Sequence, residues 1–208
     1  MKLVQTDPNN SILVVIDFQE AFRKLLYQGD LCEAAIIRSI KLAELFGVPV
    51  VMTEQYPKGL GKTTQPVAEA FLSCATRRGE VVEKLSFSCA GDESFQALLE
   101  STVSELRARS KGRLLGPTEI VVVGIETHVC VLTTCLDLLA AGYRVQVLEE
   151  AVTSRYRYLR ENGLAQLRQA GVRISNTETI AFEWARSKEH EKFRQMSNLL
   201  KQPLPVKD

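Results

Sequence analysis

Three side chains capable of nucleophilic or acid–base chemistry follow apolar, strand-like runs of this sequence. Asp17 and Lys84 come directly after such runs, and Cys130 lies a few residues beyond a third run. A thiol nucleophile needs a base or a cation beside it, and a carboxylate and an ammonium supply both. Because the carboxyl ends of parallel strands share one edge of a sheet, we predict that the three side chains converge there.

Each of these groups has a predicted part in attack on a carbonyl carbon. A free thiol has a pKa of about 8.5, so little thiolate exists near neutrality without help. We predict that Asp17 accepts the proton of Cys130 and that Lys84 stabilises the resulting anion. Attack on an amide or ester would form a thioester, which water activated by Asp17 would hydrolyse. The backbone N–H groups of Glu126 and Cys130 are predicted to bind the oxyanion.

Residues near these positions in the sequence are predicted to line a substrate pocket. His128 comes two residues before Cys130, and near neighbours in a turn usually point in different directions, so we predict substrate contact or capping rather than a Cys–His dyad. Arg155 follows a strand-like run and could meet an anionic substrate. The predicted pocket residues are Phe18, Gln19, Gln55, Tyr56, Thr127, His128 and Arg155.

Strand-like and helix-like patterns alternate along the chain. Continuous apolar, β-branched runs predict strands buried on both faces at 12–16, 48–52, 80–82, 120–123 and 144–148, with a short one near 172–174. Apolar residues at spacings of three and four predict helices at 32–46, 92–109, 128–141 and 156–170. The resulting order, β-α-β-β-α-β-α-β-α-β, predicts an α/β fold with a three-layer, doubly wound sheet.

Length and composition restrict the protein class. The 208 residues carry 26 basic and 25 acidic side chains, so we expect one domain over 1–208, with a helical tail from about 183, and no affinity for membranes or nucleic acid from net charge. Neither a secretory signal nor a membrane-spanning run is visible. Five irregularly spaced cysteines favour reduced thiols in the cytoplasm, and a mitochondrial address stays open.

Two further segments resemble binding motifs and are set aside. Residues 59–63 read GLGKT but lack the first glycine and the leading strand of a phosphate-binding loop. Arg155, Tyr156, Arg157 and Tyr158 interleave charge with aromatic rings, which single-stranded nucleic acid can use. The near-zero net charge favours an ordinary surface helix there instead.

Residues 12–19, 83–88 and 124–130, in that order and spacing, resemble the isochorismatase-like cysteine hydrolase family. Residues 53–57 and 176–179 resemble further stretches of it, especially the branch of isochorismatase-domain-containing proteins, so the resemblance spans about 11 to 182. It implies a sheet of six parallel strands and carries the family triad onto Asp17, Lys84 and Cys130. It also implies a cis peptide bond between Ile125 and Glu126.

The departures from the family pattern restrict the chemistry. Nicotinamidases of this superfamily bind a metal through an aspartate and two histidines near the second strand, but this chain has Met-Thr-Glu-Gln-Tyr at 52–56 and only two histidines, His128 and His190. We therefore predict no metal and no cofactor. Isochorismatase itself lacks the nucleophilic cysteine, so Cys130 favours acyl chemistry.

The leading hypothesis is a metal-independent cysteine hydrolase acting on a small amide, ester or related carbonyl compound. A nitrilase-type Glu-Lys-Cys hydrolase is disfavoured because the first acidic residue is Asp17 and the strands read as parallel. One alternative is a non-catalytic binding or scaffold protein that keeps the pocket. A weaker one is an RNA-binding or ribonuclease-type protein. The apolar face of the C-terminal tail predicts docking on the chain's own domain or on a second copy in a homo-oligomer.

Overall fold

The computed structural model describes residues 5–110 and 116–205, which form six strands and nine helices. The strands are β1 (Ser11–Ile16), β2 (Val50–Gln55), β3 (Val82–Lys84), β4 (Glu119–Ile125), β5 (Arg144–Thr153) and β6 (Arg173–Ser175). The helices are α1 (Glu20–Arg23), α2 (Gly29–Phe46), α3 (Pro57–Leu60), α4 (Gln65–Ser73), α5 (Glu93–Arg109), α6 (Leu132–Ala140), α7 (Arg157–Ala170), α8 (Thr177–Ala185) and α9 (Phe193–Leu200). Among the described residues, no helix combines the length and apolar character needed to cross a membrane.

All strand pairs are parallel, in the order β3-β2-β1-β4-β5-β6. Every residue of β1 and β4 is buried, as expected for strands covered on both faces. Successive side chains of β1 enter opposite cores: Leu13 joins one and Val14 the other, because side chains alternate across a strand. The predicted doubly wound α/β fold is confirmed.

The helices form one layer on each face of the sheet. Helices α2, α4, α8 and α9 cover one face, and α5, α6 and α7 cover the other. In α2, Ile36, Ile40 and Ala43 are buried at spacings of three and four, and each buried isoleucine stabilises the fold by about 1.5–3 kcal/mol. Gly47, with φ of 75°, ends this helix in the left-handed conformation that glycine adopts without steric cost.

The predicted order of elements was wrong between the second and third strands. It placed these strands in succession, whereas α4 lies between β2 and β3. Neighbouring parallel strands need a crossover connection, usually a helix, which brings the chain back to the starting edge. Helix α4 is short, and only Val67 and Phe71 are fully buried, so its apolar pattern is weak.

Five of the six strands also end later than their apolar runs predict, all except β1. Strand β3 ends at Lys84 rather than at residue 82, and β5 continues to Thr153 rather than to 148. The register of β4 with β5 shifts between Val122 and Gly124. The longer β5 brings the residues that follow Thr153 to the carboxyl edge of the sheet.

The C-terminal tail packs on the chain's own core. Helix α9 contacts α2 and α8, and its Met196 is fully buried in the core on that face of the sheet. Phe193 and Leu200 pack against the same core. The sequence predicts that this tail docks either on the chain's own domain or on a second copy, and in the structure it docks on its own domain.

Candidate active site

The candidate site lies where the direction of winding changes. Strands β1 and β4 are neighbours, but α2 after β1 covers one face of the sheet and α6 after β4 covers the other. A crevice opens at such a point, and ligands of doubly wound sheets bind there. Asp17 follows β1 directly, and Cys130 lies in the turn that follows β4.

Thr53 and Lys84 both donate hydrogen bonds to the carboxylate of Asp17. Its Oδ1 accepts from Thr53 Oγ1 at 2.7 Å, and its Oδ2 accepts from Lys84 Nζ at 2.7 Å. The backbone at Asp17 has a φ of 50°, a left-handed conformation that costs a residue other than glycine about 1–3 kcal/mol. The carboxylate is therefore fixed in place although its backbone is unfavourable.

Lys84 is fully buried with its ammonium surrounded by acceptors. Besides Asp17, Nζ donates to Gln55 Oε1 at 2.8 Å and to the carbonyl oxygens of Ser86 and Phe87 at 3.1 Å each. Burial opposes the charge, but the Asp17 carboxylate and the thiols of Cys89 and Cys130 outweigh it, so the pKa of Lys84 is raised. Lys84 is therefore a fixed cation that links Asp17, Gln55 and the backbone of Ser86 and Phe87 through hydrogen bonds.

Cys130 lies in a π-helical turn, Thr127–Val131, and its side chain is 8% exposed. Burial raises the pKa of the Cys130 thiol to about 12, and the charge of Asp17 together with a hydrogen bond to it acts in the same direction. Lys84 lowers this pKa, as the sequence predicted, but its effect is smaller than that of burial. The resting sulfur is thus a protonated thiol beside a carboxylate, so attack requires that a base take the proton.

Gly124 allows β1 and β4 to approach each other at the site. Its φ is 119°, and a Cβ placed there would lie 2.0 Å from the carbonyl oxygen of Ile16. No side chain fits at such a distance. The sequence singled out Gly124 only as the end of an apolar run, whereas in the structure it sets the spacing between the strands that carry Asp17 and Cys130.

The turn that carries Cys130 is braced by its neighbours. The Ile125–Glu126 peptide bond is cis, as the family resemblance implied. Glu126 Oε1 accepts from the backbone N–H of Arg155 at 2.9 Å and from its Nε at 3.2 Å. The carbonyl oxygen of Glu126 accepts from the N–H groups of Val129 and Val131. Both ends of Glu126 are therefore tied down.

A cavity of about 110 Å³ opens above these groups. Five apolar side chains form most of its wall: Phe22, Leu60, Phe87, Ile125 and Val129. Four residues with polar groups complete it: Asp17, Gln55, Glu126 and Cys130. Phe87 is 63% exposed, which places the mouth of the cavity on its side.

Only Gln55 among the seven predicted pocket residues lines this cavity in the described part of the chain. Phe18 belongs to the hydrophobic core, because the tight turn at Asp17 directs it inward. Gln19 is fully buried; it donates to the carbonyl oxygens of Gln55 and Gly61 and accepts from the N–H of Gln55. It therefore clasps the loop after β2 instead of facing a substrate.

The other four predicted pocket residues also lie outside the cavity wall. Tyr56 is half exposed and its ring lies over Gly59, where a Cβ would come within 2.2 Å. Thr127 is buried. His128 Nδ1 is 3.0 Å from Ser154 Oγ, and Arg155 binds Glu126. Ser154 and Arg155, which follow β5, thus brace the turn of Cys130.

Several residues of the site had no signal in the sequence pattern. Thr53, which positions the carboxylate of Asp17, is the last residue of β2 paired with β1, opposite Ile16. The register of that strand pair could not be read from periodicity. Phe22, Leu60 and Phe87 come from loops and short helices after three different strands, so only the fold brings them together.

Glu54, near the second strand's end, binds protein groups. Its Oε1 accepts from the N–H of Thr63 at 2.6 Å and from Thr63 Oγ1 at 2.8 Å, and Lys62 Nζ lies 3.2 Å from Oε2. These contacts fasten the 59–63 segment beside the cavity. Within residues 5–110 and 116–205, no group of three or more His, Cys, Asp and Glu side chains is arranged to hold a metal ion.

Comparisons with known sequences all point to one family. The sequence profile of the isochorismatase domain matches residues 11–179. Isochorismatase domain-containing protein 2 of Bos taurus is 34% identical over 198 residues, which are 95% of this chain and 86% of the relative. The secreted isochorismatase effector Isc1 of Phytophthora sojae (strain P6497) is 33% identical over 201 residues, 97% of this chain and 89% of the relative.

A solved structure resembles the whole fold. The structure of the MAR1 ribonuclease from Caenorhabditis elegans superposes with a TM-score of 0.82 at 30% sequence identity. The match covers 98% of this chain and 95% of that chain. The likeness thus includes the helices beyond residue 179 as well as the region of the profile.

Proposed function

We propose that this chain, which belongs to the isochorismatase family, is a cysteine hydrolase of a small amide, ester or related carbonyl compound. The observation that supports the proposal is that Asp17 and Cys130 line one cavity, while the buried Lys84 Nζ lies 2.7 Å from Asp17 Oδ2. All the proposed steps use groups of this chain.

In the proposed first step, the Cys130 thiol gives its proton to Asp17 while sulfur bonds to the carbonyl carbon of the substrate. A base is needed because the pKa of this thiol is raised to about 12. The negative charge moves from Asp17 to the substrate oxygen, where the N–H groups of Glu126 and Cys130 would bind it. Lys84 stays protonated and stabilises the charge throughout.

In the proposed second step, the tetrahedral intermediate collapses to a thioester. The carbon–nitrogen or carbon–oxygen bond breaks, and Asp17 returns the proton to the departing amine or alcohol. Water then gives a proton to Asp17 and attacks the thioester carbon, after which the carbon–sulfur bond breaks and Asp17 returns the proton to the Cys130 sulfur. The products are a carboxylic acid and the restored thiol, so the protein ends each cycle unchanged.

The test is hydrolysis of a panel of small amides and esters, with intact-protein mass spectrometry of the quenched reaction. We expect product release and a mass increase equal to one acyl group, both lost in Cys130→Ala. Cys135→Ala is the matched control, since Cys135 is also a buried thiol but lies in α6. Turnover that persists in Cys130→Ala would contradict the proposal.

The non-catalytic alternative predicts a different result from the same experiment. A scaffold protein that keeps the pocket would bind members of the panel without acylation or product release. Binding measured by calorimetry, together with an unchanged mass of the wild-type protein, would favour that alternative.

A second candidate function is RNA cleavage, because the similar Caenorhabditis elegans structure is described as a ribonuclease. The rings of Tyr156 and Tyr158 stack at 5.7 Å and are exposed, which suits base stacking. The nearby cations are paired, however: Arg155 with Glu126 and Arg157 with Glu161. Cleavage of a labelled single-stranded RNA by wild type, lost in Cys130→Ala and in Tyr156→Ala, would support this candidate.

We further propose that the chain forms homo-oligomers. Three large apolar side chains, Tyr56, Leu85 and Phe87, are 50% to 75% exposed near the cavity mouth, and such patches often mark contacts between proteins. Light scattering during gel filtration should give a multiple of 23.2 kDa. A monomeric mass at micromolar concentration would contradict it.

We also propose that the protein works in a reducing compartment, the cytoplasm or an organelle such as the mitochondrion, as its cysteines suggest. All five cysteines are unpaired and buried, and oxidising compartments favour disulfides. Imaging of a tagged protein would test it; secretion would contradict it.

A further inference from the structure

We propose that the cavity selects short, uncharged acyl groups, an inference that rests on the hydrolase function proposed above. Sulfur and carboxylate lie at its floor, so the carbonyl carbon of a substrate must reach the floor. The acyl side chain then has to fit between the apolar walls. The departing amine or alcohol would point to the mouth beside Phe87.

The size of the cavity limits the acyl group. The cavity volume of about 110 Å³ is well below the roughly 300–1,000 Å³ of pockets that hold drug-sized ligands, so the cavity favours a small acyl group. Acyl side chains of one to four carbons fit this space. An aromatic ring does not fit without movement of a wall residue such as Leu60 or Phe87.

The charges around the cavity are already used within the protein. The three N–H bonds of the Lys84 ammonium face four acceptors within 3.1 Å. Asp17 accepts from Lys84 and Thr53, and Glu126 accepts from Arg155. A charged substituent on the acyl chain would lose its water among apolar walls and find no free partner.

An acidic acyl chain meets a second obstacle. Two of the residues that line the cavity, Asp17 and Glu126, carry carboxylates, and the cation beside each is already paired with it, Lys84 with Asp17 and Arg155 with Glu126. A third negative charge in the same small space is repelled. The geometry therefore disfavours dicarboxylic half-amides more strongly than their neutral counterparts.

Two pairs of isosteric amides test this selection. Malonamate differs from 3-methylbutanamide by a carboxylate in place of an isopropyl group, and glycinamide differs from propanamide by an ammonium in place of a methyl group. We expect each neutral member to have a kcat/KM at least about tenfold higher, the discrimination typical of one group in an apolar pocket. Equal or higher values for a charged member would overturn the inference.

Binding to Cys130→Ala separates this inference from the proposed function. That variant cannot react, so calorimetry with the same four amides reports selection by the cavity alone. Tighter binding of the neutral members without any turnover by wild type would refute the hydrolase and leave the selection intact. Tighter or equal binding of malonamate or glycinamide would refute the selection even if wild type hydrolyses amides.

A wall variant tests the limit on length. Leu60→Ala should raise the ratio of kcat/KM for hexanamide over 3-methylbutanamide at least about fivefold, because each added methylene then finds space. Leu72→Ala is the matched control, since Leu72 is 57% exposed on α4 and outside the cavity wall. An unchanged ratio in Leu60→Ala would show that the wall does not set chain length.

Discussion

Replacing Lys84 by methionine tests whether the buried charge of Asp17 is stabilised by the charge of Lys84. Methionine keeps the apolar stem and the approximate length of the side chain but removes the ammonium. The side chains of Lys84 and Asp17 are 0% and 4% exposed, and their charged atoms lie 2.7 Å apart. The substitution therefore leaves a desolvated carboxylate without its cation.

The expected loss follows from this burial. Removing one partner of a buried ion pair costs about 3–5 kcal/mol. For a chain of 208 residues, each kcal/mol lowers the melting temperature by about 2–4 °C. Lys84→Met should therefore melt roughly 6–20 °C below wild type. The double variant Asp17→Asn/Lys84→Met should recover part of this loss because the unpaired charge is gone.

Thermal unfolding at neutral pH, followed by circular dichroism, is the assay. Arg157→Met is the control, because Arg157 and Glu161 form an equally short ion pair, 2.6 Å, whose side chains are 70% and 53% exposed. We expect this control to melt with wild type, since exposed pairs contribute little. The reasoning is refuted if Lys84→Met melts like the control, or if the double variant is less stable than Lys84→Met.

Three further predictions follow from the same geometry. Asp17→Asn should lower kcat about 10²–10⁴-fold through loss of the base. It should also lower the pKa of Cys130, because Asp17 raises that pKa. Thiolate absorbance at 240 nm against pH would show the shift, and an unchanged midpoint would contradict it. Gly124→Ala should destabilise the protein by at least about 3 kcal/mol in urea through overpacking and strain. Gly116→Ala should cost clearly less, because Gly116 also has a positive φ, 117°, but no atom of residues 5–110 and 116–205 lies within 4 Å of an added Cβ. Equal losses would disprove the steric argument. Burial raises the pKa of Cys130 to about 12 and that of Cys89 to about 11. Above about pH 8.5 the unfolded chain therefore loses these protons first, and stability should fall by up to about 1.4 kcal/mol per pH unit for each thiol. Urea titrations should show a shallower alkaline fall in Cys130→Ala than in wild type, and parallel curves would rule out this linkage.

The loop after β2 shows how far sequence patterns reach. The GLGKT segment at 59–63 is excluded as a phosphate site because it lacks the first glycine of such a loop and a strand that leads directly into it. In the structure, Thr63 binds Glu54 and Gln19 binds the carbonyl oxygen of Gly61. These contacts join the loop to Glu54 of β2 and to Gln19, which follows β1, and no periodic pattern carries that information.

The pocket candidates show a second limit. Phe18, Gln19 and His128 were chosen because they stand next to reactive residues in the sequence. In this fold the direction of a side chain depends on backbone dihedrals at single residues, such as the left-handed Asp17, and on partners from other strands, such as Ser154 for His128. Adjacency in the chain therefore predicted proximity to the site but not orientation toward it.

The sequence by itself determined the three-layer α/β class of the fold and the residue type at each strand end, because strand and helix patterns are short-range properties of the chain. It also pointed to the family through three short segments. Only the tertiary structure decided which side chains form the cavity wall and whether the Cys130 thiol is protonated at rest. Both depend on burial and on charges from distant segments, which arise when β1, β3 and β4 come together at one edge.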